Sequence, residues 1–295
     1  MMHWLEVVCL CQVAKVEALA ELLTQWGALA LTYTDASDSP ILEPEPGTLP
    51  LWQHIKLIAL FDPQQHQSSL HQALIQYEPT LNISFQRLNE QDWVKAVQTQ
   101  FQPLLFGEQL WICPSWADLS RCPGIQVMLE PGLAFGTGTH PTTALCLKWL
   151  AAHPPNRAQV IDYGCGSGIL ALSAAKLGAA KVWAIDYDPQ ALWSTEQNQA
   201  LNALPNTQLN TLLPQDLAPD FAPVDLLLAN ILANPLLELV EQFKNLVKLN
   251  GYVVLSGILA HQLSELTTAY SQYFALEEPV IVDGWARLSG QRIAA

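Results

Sequence analysis

Basic residues are scarce in this chain. Thirteen lysines and arginines stand against 27 aspartates and glutamates, a formal net charge of -14 over 295 residues. That shortage argues against a bulk electrostatic grip on nucleic acid, which depends on clustered cations facing phosphates. A basic partner suits the surface better. The six cysteines, Cys9, Cys11, Cys113, Cys122, Cys146 and Cys165, include no CxxC pair and no Cys/His grouping at zinc spacing. They read as reduced, mostly buried thiols, and no metal site is expected. No apolar run is long enough to span a bilayer, and the first residues lack the basic segment and apolar core of a secretion signal. The expectation is a cytoplasmic protein that binds neither membrane nor nucleic acid directly. What the chain does have is apolar content, 50% of its residues, enough for a sizeable core and, at this length, for two domains.

The most informative stretch is Val160-Ile-Asp-Tyr-Gly-Cys-Gly-Ser-Gly-Ile169. An apolar run ends at Asp162, three alternate glycines follow, and Ile169 to Leu177 resumes with helical spacing. Strand, glycine turn and helix in that order let backbone approach a ligand closely, with free N–H groups at the helix start. A second strand, Val182 to Ile185, leads to Asp186, a carboxylate suited to the two hydroxyls of a ribose. Together they describe an adenosine-cofactor site. The dinucleotide fingerprint GxGxxG would need a third glycine where Ile169 stands. The spacing here is GxGxG, which resembles the S-adenosylmethionine turn of doubly wound methyltransferases. Cys165 lies inside the turn, and with no His or Lys nearby to activate it, it reads as a small residue that fits.

Before this site, apolar spacing predicts a strand over 3–10, a helix over 16–26, strands over 28–33 and 51–61, a helix over 66–77 and a strand over 81–88. A Pro/Glu-rich loop fills 35–50. Strand, helix, strand, strand, helix, strand is the split βαβ order of a ferredoxin-like sandwich. Residues 89–102 read as a linker helix, ended by Pro103, and 104–116 as strand. The loop from Leu129 to Thr143 is rich in glycine and threonine, with Pro141 placed to begin a helix and Thr139 or His140 placed to cap it. His140 is read as structural.

Beyond the glycine turn, helices over 189–201, 235–249 and 261–273 alternate with strands over 208–213, 224–231 and 251–259, and strands over 276–282 and 285–293 close the chain around Asp283-Gly284. A sheet of this kind binds ligands at the carboxyl ends of its strands, which puts Asn230, at the end of a nearly all-apolar strand, beside the cofactor. Its amide oxygen is suited to accept an N–H from an attacking amine and hold that nitrogen in line, making Asn230 the candidate catalytic residue. Asn234 reads as the cap of the next helix. Ile231 and Leu232 follow Asn230 where adenine-amino methyltransferases carry proline and an aromatic. This favours an aliphatic amine over a base, and an RNA methyltransferase or a binding module without chemistry are the weaker alternatives.

Taken in order, LEPGLAFGTGTHPTT, VIDYGCGSGILALSAAKLGA, AIDYDPQAL and LLLANILANPL resemble the ribosomal protein L11 methyltransferase family. The resemblance is close from Trp93 onward and holds only in pattern over the first 88 residues. It implies methyl transfer from S-adenosylmethionine to lysine and N-terminal amines of ribosomal protein L11, with the small domain holding that substrate. The acidic balance, which exposed ribosomal RNA would repel, favours the free protein as substrate, and a monomer is expected. With the element order above, the expected organisation is a ferredoxin-like substrate-recognition domain over 1–88, the linker helix over 89–102, and a Rossmann-like methyltransferase domain over 103–295. Carried over by motif, the cofactor-binding positions are Thr143, Gly164, Asp186 and Asn230.

Overall fold

The computed structural model describes residues 3–37, 51–89, 101–130, 138–218 and 220–294. The chain forms two compact units, Met1–Val97 and Gln98–Ala295. In the first, β1 (His3–Gln12), α1 (Val13–Gln25), β2 (Ala30–Asp35), β3 (His54–Phe61), α2 (Gln67–Tyr77) and β4 (Asn82–Asn89) follow one another. The strands form one antiparallel sheet in the order β2-β3-β1-β4. Alternation decides which face is covered. Ile55, Leu57, Ala59 and Phe61 of β3 are buried with Leu5, Val7 and Cys9 of β1 and with Leu19, Leu23, Leu70 and Leu74 of the two helices, while the intervening β3 residues are less buried.

The second unit begins with a small sheet, β5 (Leu104–Phe106), β6 (Leu110–Pro114) and β7 (Ile125–Leu129), and continues with α3 (Pro141–Ala152). Next come β8 (Gln159–Tyr163), α4 (Ile169–Lys176), β9 (Lys181–Ile185), α5 (Pro189–Leu201), β10 (Leu209–Leu212) and β11 (Val224–Asn230). After these follow α6 (Ala233–Glu238), α7 (Val240–Leu246), β12 (Val247–Leu259), α8 (Leu263–Tyr270), β13 (Phe274–Leu276), β14 (Val280–Val282) and β15 (Trp285–Arg292). The large sheet runs β10-β9-β8-β11-β12-β15-β13, with β14 paired to β15. Its first five strands are parallel, and β15 is antiparallel to β12.

Both faces of this sheet are covered, and the period of two along each strand divides the core. Val160, Leu226, Leu228 and Val254 join one cluster with α3 and α4. Ile161, Leu227, Ala229, Val253 and Leu255 join the other with α6, α7 and α8. That is why β11 is apolar without a break from Leu226 to Ala229 and β8 carries Val160 and Ile161 side by side. The strand order reverses between β8 and β11, so a doubly wound sheet opens its ligand crevice there. Among the described residues no helix is long and apolar enough to cross a membrane, and all six cysteines are free thiols.

Several boundaries differ from the sequence reading. The single helix expected over 235–249 is two short ones, divided at Leu239, and the chain is already extended at Val247. Asn234 does not cap. Leu232 occupies that position with extended backbone, and Asn234 and Pro235 lie inside the first turn, where a missing N–H leaves no intrahelical bond unmade. The 104–116 strand is a hairpin, and the parallel strand Ile125–Leu129 had no counterpart in the reading. Of the linker helix, 90–100 lie outside the described residues, Asn89 closes β4 and 101–103 have no regular structure. Residues 38–50 and 131–137 of the two expected loops also lie outside them.

Candidate active site

Register places the site. Tyr163 pairs with Ile185 on one side and with Ala229 on the other, so the next residues, Asp186, Gly164 and Asn230, stand level at the carboxyl ends of three adjacent strands. Strands lie about 4.8 Å apart, which puts Asp186 and Asn230 on the order of 10 Å from each other across the switch point. That separation allows one end to hold a sugar and the other a reacting group.

The turn between β8 and α4 passes through Gly164, Gly166 and Gly168, all with left-handed backbone (φ +79°, +56° and +79°). At Gly164 a side chain has no room, because an added Cβ would lie 2.2 Å from Ile231 Cγ2. Its lack of a side chain is therefore required by the protein's own packing as well as by any ligand. Asp186, 7% exposed, accepts the Gly166 N–H at Oδ2 (3.0 Å) and the Asp188 N–H at Oδ1 (3.0 Å). Each oxygen keeps acceptor capacity beyond its one bond, as a diol requires.

At the other end, Thr143 is fully buried in the first turn of α3. Its Oγ1 accepts from Asn230 Nδ2 at 3.1 Å across 87 residues of sequence. With the amide held in that sense, Asn230 Oδ1 is a buried acceptor with no partner. An orphaned oxygen of this kind costs about 1–3 kcal/mol and is expected where a bound group completes the bond. The residues thus fit a nucleoside with a reactive group at its far end. His140 caps α3, its Nδ1 accepting the Thr142 N–H at 3.4 Å and contacting Thr142 Oγ1 at 2.7 Å. Burial lowers its pKa below the ordinary histidine value, which keeps the ring neutral and able to accept. The ring also meets Trp285 edge-on, with centroids 5.0 Å apart.

Three groups have contacts that the sequence reading did not assign, although it placed Asp162 at the end of the apolar run before the turn. Asp162, 1% exposed, accepts the Ala171 N–H at Oδ2 (2.9 Å) and leaves Oδ1 unpartnered. Burial pushes its carboxyl up to about 7, the Ala171 bond opposes this and the Asp186 charge adds to it. An aspartate raised in the folded state costs stability as pH rises, since between about pH 4 and 7 the unfolded chain has lost a proton that the native state keeps. D162N keeps an acceptor and cannot ionise. Urea titrations of variant and parent should therefore show the stability difference moving in the variant's favour by about 3 kcal/mol from pH 4 to 7, and a constant difference would contradict the assignment.

The second group is on α5. Asn198 accepts the Glu130 N–H (2.9 Å) and donates to the Ser167 carbonyl (2.9 Å), while Thr195 donates to the Gly166 carbonyl (3.1 Å). Asn202 bonds both backbone groups of Met128. Residues of α5 and its C-terminal end thus fasten the glycine turn to the backbone of Met128 and Glu130. The signal was present: α5 lacks an apolar stripe yet buries Ser194, Thr195, Asn198 and Gln199, so its inner face must meet backbone. The third group is Gly257, considered below. Cys165 contacts Thr195 Oγ1 at 3.4 Å, and burial raises its thiol well above the ordinary value, so it stays protonated. Among the described residues no cluster of three or more His, Cys, Asp or Glu is arranged to hold a metal.

Comparison with known proteins points the same way. A family model described as ribosomal protein L11 methyltransferase (PrmA) matches residues 3–293. A ribosomal protein L11 methyltransferase of Alteromonas mediterranea is 44% identical over 294 residues, 99% of this chain and 100% of that protein. The protein of the same name from Nitrosococcus oceani is 42% identical over 294 residues, with the same coverage. Among solved structures, ribosomal protein L11 methylase from Lactobacillus delbrueckii subsp. bulgaricus aligns with a TM-score of 0.59 at 32% identity, covering 66% of this chain and 100% of that one.

Proposed function

The chain belongs to the ribosomal protein L11 methyltransferase family, and from that premise we propose that it methylates lysine side-chain amines and the N-terminal amine of ribosomal protein L11. S-adenosylmethionine, when bound, supplies an electrophilic methyl group carried on a positively charged sulfur. The observation that carries the reading is the orphaned Asn230 Oδ1, fixed through Thr143 and level with Gly164 and Asp186. We assign Asp186 and Gly164 to the nucleoside end, and Thr143 and Asn230 to the reacting end. An amide oxygen is the right group at that end, because it accepts one N–H of an amine while leaving the nitrogen lone pair free.

The amine must arrive neutral. A lysine with reference pKa about 10.4 is neutral at pH 7 in roughly one copy in 2,500, a cost of about 4.6 kcal/mol, against about 1.4 kcal/mol for an α-amine near pKa 8. The N-terminal amine is the easier target. For lysine, a dry pocket beside a positive charge favours the neutral form. His140 commits Nδ1 to Thr142, so we assign proton removal to solvent and the rate chiefly to positioning.

We further propose that residues 1–88 recognise L11, that 89–102 link the parts, and that 103–295 carry the transfer. The strand order β2-β3-β1-β4 with its two helices supports a ferredoxin-like reading of the first part. We also propose a cytoplasmic monomer, and the acidic balance favours free L11 as its substrate, since exposed ribosomal RNA would repel the enzyme. Incubation of the enzyme and S-adenosylmethionine with unmodified L11, followed by intact and peptide mass spectrometry, should give mass gains in steps of one methyl on lysines or the N-terminus, faster on free L11 than on ribosomes. No gain on L11, with cofactor binding shown separately, would reject the substrate. Faster modification of ribosomes would reject the free-protein reading.

A further inference from the structure

One irregularity of the large sheet sits at the level of the reacting end. Along β12 and β15, Leu255 pairs with Leu288 but Ile258 pairs with Ala286, so Ser256 and Gly257 together oppose Arg287. This is a β-bulge, a device that re-aims the neighbouring chain. Ser256 is the parallel partner of Asn230. It is fully buried, and its hydroxyl donates to the Ala286 carbonyl at 3.0 Å, which ties the bulge to β15. Gly257 has φ +84°. A Cβ there would lie 2.2 Å from the Ile231 carbonyl oxygen, 2.7 Å from its carbonyl carbon and 3.1 Å from its nitrogen. All three are backbone atoms, so no rotamer change could relieve the clash.

Ile231 is therefore held from two sides. Its backbone rests on Gly257 and its side chain on Gly164. The bulge abuts the Ile231–Leu232 peptide at its carbonyl group and the Asn230–Ile231 peptide at its nitrogen, so it holds the backbone on which the Asn230 side chain stands, while Thr143 holds the far end of the Asn230 amide. We propose that the Ser256–Gly257 bulge is a positioning element of the transfer site, with Gly257 acting through Ile231 to fix where Asn230 Oδ1 points. This rests on the reading of Asn230 as the group that holds the accepting nitrogen. Gly257 touches neither substrate nor cofactor in this account.

Gly284 supplies a matched control. It has φ +78° and lies in the same sheet's closing turn, but an added Cβ meets nothing within 4 Å. G284A therefore carries the strain of a left-handed alanine without the contact. Turnover on L11 and cofactor affinity by calorimetry would be measured for G257A, G284A, S256A and N230A. A displacement of about 1 Å at a reacting centre costs on the order of 100-fold. G257A is expected to lose roughly that factor in kcat with cofactor Kd within about threefold of the parent, while G284A stays within about twofold in both. S256A, which unties the bulge from β15 and removes a contact with the Cys146 thiol of α3, should lose roughly fivefold in kcat at unchanged Kd. Full turnover in G257A, or a loss of cofactor affinity as deep as the loss of turnover, would overturn the proposal. Should G257A fail to fold, S256A decides: reduced kcat at unchanged Kd supports the bulge's role, and unchanged kcat overturns it. Unimpaired kcat in N230A beside an impaired G257A would instead overturn the Asn230 assignment, and this inference with it.

Discussion

Replacing Asp186 by alanine should weaken S-adenosylmethionine binding by on the order of 100-fold or more while leaving the reacting end intact. Two effects compound. A carboxylate contributes about 1.5–3 kcal/mol for each hydrogen bond it accepts as a charged group, and a ribose diol offers two. Without a ligand, the same oxygens hold the N–H groups of Gly166 and Asp188 at 3.0 Å, so the variant also loosens the glycine turn that must approach the cofactor. Calorimetry separates binding from turnover, and kcat at saturating cofactor should stay within about tenfold of the parent. If D186A binds normally and loses kcat instead, Asp186 acts at the chemistry and the division of the site is reversed.

Asn230→Ala should do the opposite. It removes the orphaned Oδ1 and the partner of Thr143 Oγ1, but nothing at the Asp186 end. Loss of alignment at a transfer centre is worth roughly 100-fold in kcat, with cofactor Kd expected within about threefold. The Thr143 contact predicts that T143S, which keeps the hydroxyl, retains most of this turnover. Equal losses of Kd and kcat in both D186A and N230A would mean that the two ends are not separable.

Much of this site was legible from local pattern. Three alternate glycines after an apolar run can only make a turn with left-handed residues, and the structure has them at positive φ. An acid directly after the next apolar run, and an amide at the end of a third, must fall at strand ends if those runs are strands. Asp283-Gly284 has φ +51° and +78°, the twist that joins antiparallel neighbours tightly, and β14 and β15 pair around it. Pro141 after His140 marked a helix start, and the chain caps there. Where the reading failed, competing local signals were weak. Leu239 to Leu249 is apolar enough for helix or strand, and pairing of Val247 with Val224 drew it into the sheet.

The sequence by itself determined most of the strands and helices and that Gly164, Asp186 and Asn230 stand at strand ends, while Thr143 came from the family resemblance. Hydrophobic period suffices for the strand ends, since it is a local property of each segment. Only the tertiary structure decided that those ends lie level, that Thr143 orients Asn230, that Asn198 fastens the turn to Glu130, 68 positions before Asn198 in the chain, and that Ile231 sits against Gly257. Each of these depends on strand register and on which strands are neighbours. Those follow from packing both faces of one sheet at once, and no short stretch of the chain contains that information.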